Sequence, residues 1–161
     1  MKDLAIISYL TNKIGPLYQT RLYKLLFYID FCYYKNHNSS MTWYVYYKLP
    51  YWPVPLAIKT KIDCMITNLD MEDETIKNDV AEYKKYLEIV QVWNDKFTIK
   101  WNFLEETFLT KDEVTIIDYV IDKVWGLGTS KIVSRSHWED AYKNASMFQP
   151  IFYGLSDSLS I

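Results

Sequence analysis

Residues 23–55 read YKLLFYIDFCYYKNHNSSMTWYVYYKLPYWPVP, and they change character half-way. Leu22, Leu25, Leu26, Ile29, Cys32 and Tyr33, led by Tyr18, recur at three- and four-residue steps. That spacing predicts one amphipathic helix from Leu17 to about Tyr34, with one stripe on a core. Asn36, Asn38 and Ser39 are turn-formers that close it. From Met41 to Pro55 the chain then packs six aromatic residues and three prolines into fifteen positions. Trp43, Val45 and Tyr47 fall on one face of a strand, and Tyr44, Tyr46 and Lys48 on the other. The first face is expected inward. Pro50, Pro53 and Pro55 have no N–H for a ladder, so the strand must stop or lie at an edge, and LPYWPVP reads as a stiff extended loop.

The flanking sequence completes a mixed pattern. Pro55 suits the first turn of a helix carrying Leu56, Ile58, Ile62, Met65 and Ile66. Residues 73–87 are acidic first and basic last, which matches a helix dipole, with Ile76, Val80, Tyr83 and Leu87 on one side. Phe97, Ile99, Trp101 and Phe103 alternate with polar residues, predicting a strand. EIVQVW before it, joined through Asn94-Asp95, makes a hairpin. Thr110 and Glu113 have capping-box spacing ahead of Val114, Ile117, Val120, Ile121 and Val124, with a stop near Gly126. Thr129 is expected to cap a short helix, and Ser136 with Glu139 repeats the box. The tail FYGLSDSLSI reads as irregular or frayed. The fold class is α+β: one helix-rich domain over 1–161, of about five helices with a small antiparallel sheet or hairpin.

Composition limits the function. Half of the 161 residues are hydrophobic and the formal net charge is −2, with basic residues scattered, so nucleic acid is an unfavoured partner. No apolar run reaches membrane-spanning length, and the N-terminus lacks a secretory signal. Cys32 and Cys64 form no disulfide framework, so a reducing cytoplasmic setting is expected. His37 and His137 are far apart and no metal-ligand spacing occurs, so neither a metal nor a cofactor is expected. With only four glycines, a phosphate-binding loop has little to be built from. An enzyme using His137 with Glu139 or Asp140 has no supporting constellation. Asp30 interrupts an apolar run and must be solvated, paired or hydrogen-bonded. A tether to a tyrosine hydroxyl or backbone amide is the preferred reading, and a partner contact the alternative. The doubled aromatic faces suggest an interface, where Trp and Tyr are enriched.

Taken together, Lys24, Leu25, Leu26, Phe27 and Asp30, then Thr42 and Tyr46, then Pro53, Val54 and Pro55 resemble the signature of the Panacea domain family of SocA-like antitoxins. Leu109, Thr110, Glu113, Ser136 and His137 resemble its second half. Trp43, Trp52 and the region of Asn38 stand where the family has glycine. The resemblance implies a non-enzymatic module that neutralises a toxin by protein–protein contact. Its implied contact residues are Lys24, Asp30, Tyr44, Tyr46, Tyr51, Trp52, His137 and Trp138. An alternative target on the same scaffold is a host defence complex, inhibited by a phage-encoded, anti-CRISPR-like protein. A homodimer stays open.

Overall fold

The structure is a computed structural model that describes residues 2–50, 52–67, 72–93, 96–101 and 108–161. Among these residues there are seven α-helices, one 3-10 helix and five strands. The helix count exceeds the expected five. Two compact units are formed, each from two stretches of chain: residues 1–19 with 57–108, and residues 20–56 with 109–161.

The first unit starts with α1 (Lys2–Ile14), which buries Leu4, Ile6, Ile7 and Leu10 along one side. Sequence reading placed its first helix signal only after Gly15-Pro16 and assigned no element here. Gly15 closes it at φ 81°, with its N–H on Thr11 O (3.0 Å), a left-handed cap that a side chain would strain. Leu17–Tyr18 is then β1, not the start of the next helix, because β5 (Lys96–Trp101) recruits it: Leu17 pairs with Ile99 and Tyr18 with Thr98. The predicted hairpin is present as β4 (Leu87–Trp93) on β5, giving an antiparallel sheet of order β1-β5-β4. Asn94, Asp95 and Phe103 lie outside the described residues. Ahead of the hairpin are α3 (Leu56–Thr67) and α4 (Glu74–Tyr86), the latter capped by Asp73 through the N–H groups of Thr75 and Ile76. Ile58, Ile62 and Met65 are buried, as the helical phase required, whereas Leu56 at the helix start is exposed and Ile66 is half-buried. The Tyr83 hydroxyl donates to Asp3, tying α4 to α1.

The second unit is organised on α2 (Gln19–His37). Every residue from Leu22 to Cys32 is buried, so the helix is packed on all sides and not along one stripe. A helix without a wet face belongs to an interior, and Lys24 and Asp30 are carried inside with it. The expected LPYWPVP loop is instead strand β3 (Trp52–Pro55), paired antiparallel with β2 (Tyr46–Leu49) in the register Tyr46↔Pro55, Tyr47↔Val54, Lys48↔Pro53 and Leu49↔Trp52. Prolines are tolerated there because the ladder skips them. Lys48 N–H donates to Gln149 O (3.0 Å) and Ile151 N–H to Tyr46 O (2.7 Å), so Tyr46 and Lys48 bond to the C-terminal segment. Their opposite residues, Pro55 and Pro53, therefore face away from β2 and need no donor.

The remaining elements are α5 (Lys111–Val124), α6 (Thr129–Trp138) and α7 (Asp140–Asn144). The Thr110–Glu113 capping box is formed in both directions (3.2 and 2.7 Å). The other two expected caps are not. Gly128, not Thr129, is the N-cap of α6. Ser136 lies inside that helix and donates to Val133 O, a local bond that competes with capping. Arg21 holds the end of α5, donating to Trp125 O (2.6 Å) and Leu127 O (2.8 Å) while its guanidinium stacks on Trp125. The tail is not frayed: residues Tyr153–Ser158 form the 3-10 helix, and Ser160 donates twice to buried Glu139 (2.9 and 2.6 Å).

A candidate partner-binding surface

The second unit holds a polar node inside its aromatic core. Asp30 is fully buried, and its carboxylate accepts from Met41 N–H (2.9 Å), Thr42 N–H (2.8 Å), the Thr42 hydroxyl and the Tyr46 hydroxyl (2.8 Å). This is the structural tether that the sequence favoured. Burial pushes its carboxyl up to about 6 against the downward pull of Thr42, Tyr46 and Met41. The same burial and the Asp30 charge hold the Tyr46 hydroxyl well above its ordinary value. Lys24, also buried, is brought down to about 6 by loss of solvent. Phe27, Phe31, Tyr46 and Tyr153 close around the node, with Phe31 and Tyr153 stacked at 4.5 Å. The Tyr153 hydroxyl donates to Tyr44 O (2.7 Å).

The consequence of the tether is Trp43. Its backbone is left-handed (φ 63°), a conformation costly for a bulky side chain. Thr42, fixed on Asp30, precedes it, and its own N–H donates to the Ser40 hydroxyl (3.0 Å). So held, the indole is 77% exposed. The inward and outward faces are thus the reverse of those expected. Tyr44 and Tyr46 are buried, whereas Trp43 and Val45 look out. The reason is the positive φ together with Asp30, which draws the Tyr46 hydroxyl inward. Asn38, near which the family was expected to have glycine, is also left-handed (φ 54°), a conformation asparagine tolerates. Trp52 lies in extended β3, so it needs no such freedom.

More exposed apolar side chains belong to the same unit. Residues 148–151 run beside β2, with Tyr47 bridged to Pro150. Continuing that register sets Phe152, 72% exposed, across from Val45. Met147 and Phe148 are exposed just before it, and Trp138 is 73% exposed at the end of α6 with Lys143 Nζ 5.7 Å from its ring. His137 is turned onto Tyr142, with the rings stacked at 4.7 Å. Of the residues predicted from sequence, Asp30, Tyr44 and Tyr46 are therefore brought together inside, Lys24 is interior, and Trp138 is at the surface. Tyr51 and the ring of Trp52 lie outside the described residues. Sequence reading missed Phe148 and Phe152 as surface residues and the half-buried Tyr153 as a partner of Phe31.

The chain belongs to the antitoxin SocA-like, Panacea domain family, whose model matches residues 22–143. The match opens in α2, takes in the Asp30 node, β2 and β3, and closes within α7. Phe148, Phe152 and Tyr153 fall beyond it. No curated protein and no solved structure matches the chain at a significant level. Its role is of the antitoxin type. Among the described residues, no helix is long and apolar enough to cross a membrane.

Proposed function

We propose that the chain is a non-enzymatic antitoxin that neutralises a small toxin by covering part of its surface. Trp43 carries the reading: a tryptophan held in a strained left-handed turn by a buried carboxylate node, with most of its ring in water. Such strain persists where the surroundings over-determine it, and it clusters at functional positions. Tryptophan is also among the residues most enriched at binding hot spots. Val45 and Phe152 extend the apolar surface beside β2, and Trp138 is a further exposed ring of the same unit. Tyr51 and Trp52 stay in the proposed contact on sequence grounds. Asp30, Tyr44 and Tyr46 act behind the surface by fixing the turn, and Lys24 belongs to the same interior.

The test is co-expression with the small protein encoded beside this chain. Growth arrest by that protein alone, relieved by the wild-type chain and not by the Trp43→Ala/Phe152→Ala chain, is the expected result. Growth unaffected by the neighbouring protein, or full rescue by the double variant, would sink the assignment. No observation among the described residues favours a host defence complex as the target.

A further inference from the structure

Resting on that reading, we infer that Tyr153 is a positioning residue for the contact turn: its hydroxyl fixes the chain just after Trp43 as the Asp30 node fixes it just before. The direction of an exposed ring follows from the peptide planes on either side of its Cα, because each residue has only two soft backbone dihedrals. Four successive planes are held here. The Thr42 N–H donates to Asp30 (2.8 Å), the Trp43 N–H to the Ser40 hydroxyl (3.0 Å) and the Tyr44 N–H to the Thr42 hydroxyl (3.2 Å). These three bonds are local or run to Asp30 itself. The fourth plane is held through its carbonyl: Tyr44 O accepts from the Tyr153 hydroxyl (2.7 Å), 109 positions further along the chain.

Tyr153 serves as a fixed point because it is itself seated on α2. Its ring stacks on Phe31 (4.5 Å) and Tyr34 (5.1 Å). The chain before it is paired with β2 through the Ile151 N–H on Tyr46 O (2.7 Å). The chain after it is tied by Ser160 to Glu139, which also accepts from Tyr28 of α2 (3.0 Å). Burial and the Asp30 charge hold the Tyr153 phenol well above its ordinary value, so its hydroxyl stays a donor at physiological pH. Both flanks of the turn are thus referenced to consecutive residues of one helix, to Asp30 directly and to Phe31 through Tyr153. A contact ring held in this way meets its partner in one orientation, and little ordering is left for the moment of binding. Tyr153 lies beyond residues 22–143, so this half of the arrangement is outside what the family model describes.

The experiment uses the full chain, first alone and then with the neighbouring small protein of the preceding test. Tyr153→Phe keeps the stacked ring and removes only the hydroxyl that bonds to Tyr44 O. Tyr142→Phe is the matched control: it deletes another tyrosine hydroxyl bond to a backbone carbonyl, Leu49 O, of the same length (2.7 Å) but at the far end of β2. In the free chain, hydrogen exchange at the Thr42, Trp43 and Tyr44 amides is expected to speed up by about tenfold in Tyr153→Phe and by less than about threefold in Tyr142→Phe. Affinity for the small protein, read by calorimetry, should fall in the same proportions, about tenfold against less than about threefold. Exchange at the turn that Tyr153→Phe leaves unchanged, or that both variants raise equally, overturns the positioning role. So does a loosened turn that binds as tightly as the wild type. A loosened turn in Tyr153→Phe, combined with no complex by the wild-type chain, upholds the hold of Tyr153 on the turn and removes the neutralising reading alone.

Discussion

Trp43 and Asp30 make opposite demands on stability, and both can be measured. A left-handed φ at a bulky residue costs on the order of 1 kcal/mol or more, and glycine does not incur that cost. Trp43→Gly should therefore raise the unfolding midpoint by a few degrees while abolishing partner binding; a lowered midpoint would show that the indole packs instead of projecting. Asp30→Ala leaves the N–H groups of Met41 and Thr42 and the hydroxyls of Thr42 and Tyr46 without their acceptor. It should cost about 3 kcal/mol or more in urea unfolding. Lys24 gives a pH signature. Its folded value, about 6, lies below the ordinary lysine value because burial disfavours the charge. The unfolded chain thus binds more protons between about pH 6 and 9, and stability rises with pH across that window. Lys24→Met should flatten the rise and stabilise the chain at neutral pH, as followed by denaturant midpoints at several pH values.

At the level of elements, legibility depended on whether local chemistry or tertiary partners set the outcome. The capping box of Thr110 and Glu113, the β4–β5 hairpin and the phase of α3 are local, and all three were readable. Prolines 53 and 55 argued against a strand because the sequence cannot say which edge of a strand is paired; the register that excuses them comes from residues 148–151, almost a hundred positions away. The all-round burial of α2 was hidden for a similar reason, since Tyr23, Lys24, Tyr28 and Asp30 look like a wet face until distant elements cover them. The tail looked irregular, yet Tyr153 stacks on Phe31 and Tyr34 and bonds to Tyr44. Tyr153→Ala should cost about 2 kcal/mol or more, less than a full core truncation because the ring is half-buried. A loss below about 1 kcal/mol in thermal unfolding would show that the 3-10 helix is only loosely docked.

For the molecule as a whole, composition located poorly. A net charge of −2 with scattered basic residues argued for a protein partner, which the family membership also suggests. It could not say that the exposed rings named here lie in the unit formed by residues 20–56 and 109–161, because that unit is assembled from two separated stretches. Contact through rings instead of charges makes a solution prediction: partner affinity should change less than about threefold between 50 and 300 mM salt by calorimetry, since screening acts mainly on exposed ionic pairs. A steep salt dependence would point to Lys143 and its neighbours as the true contact. The turn at Trp43 has one more consequence, at the level of genes. Because its backbone already occupies the conformation that glycine prefers, glycine and tryptophan can alternate there without moving the chain. The codons GGG and TGG differ by a single base. A lineage carrying this turn can therefore acquire or discard its most exposed ring in one mutational step, changing the surface it presents while the scaffold stays as it was.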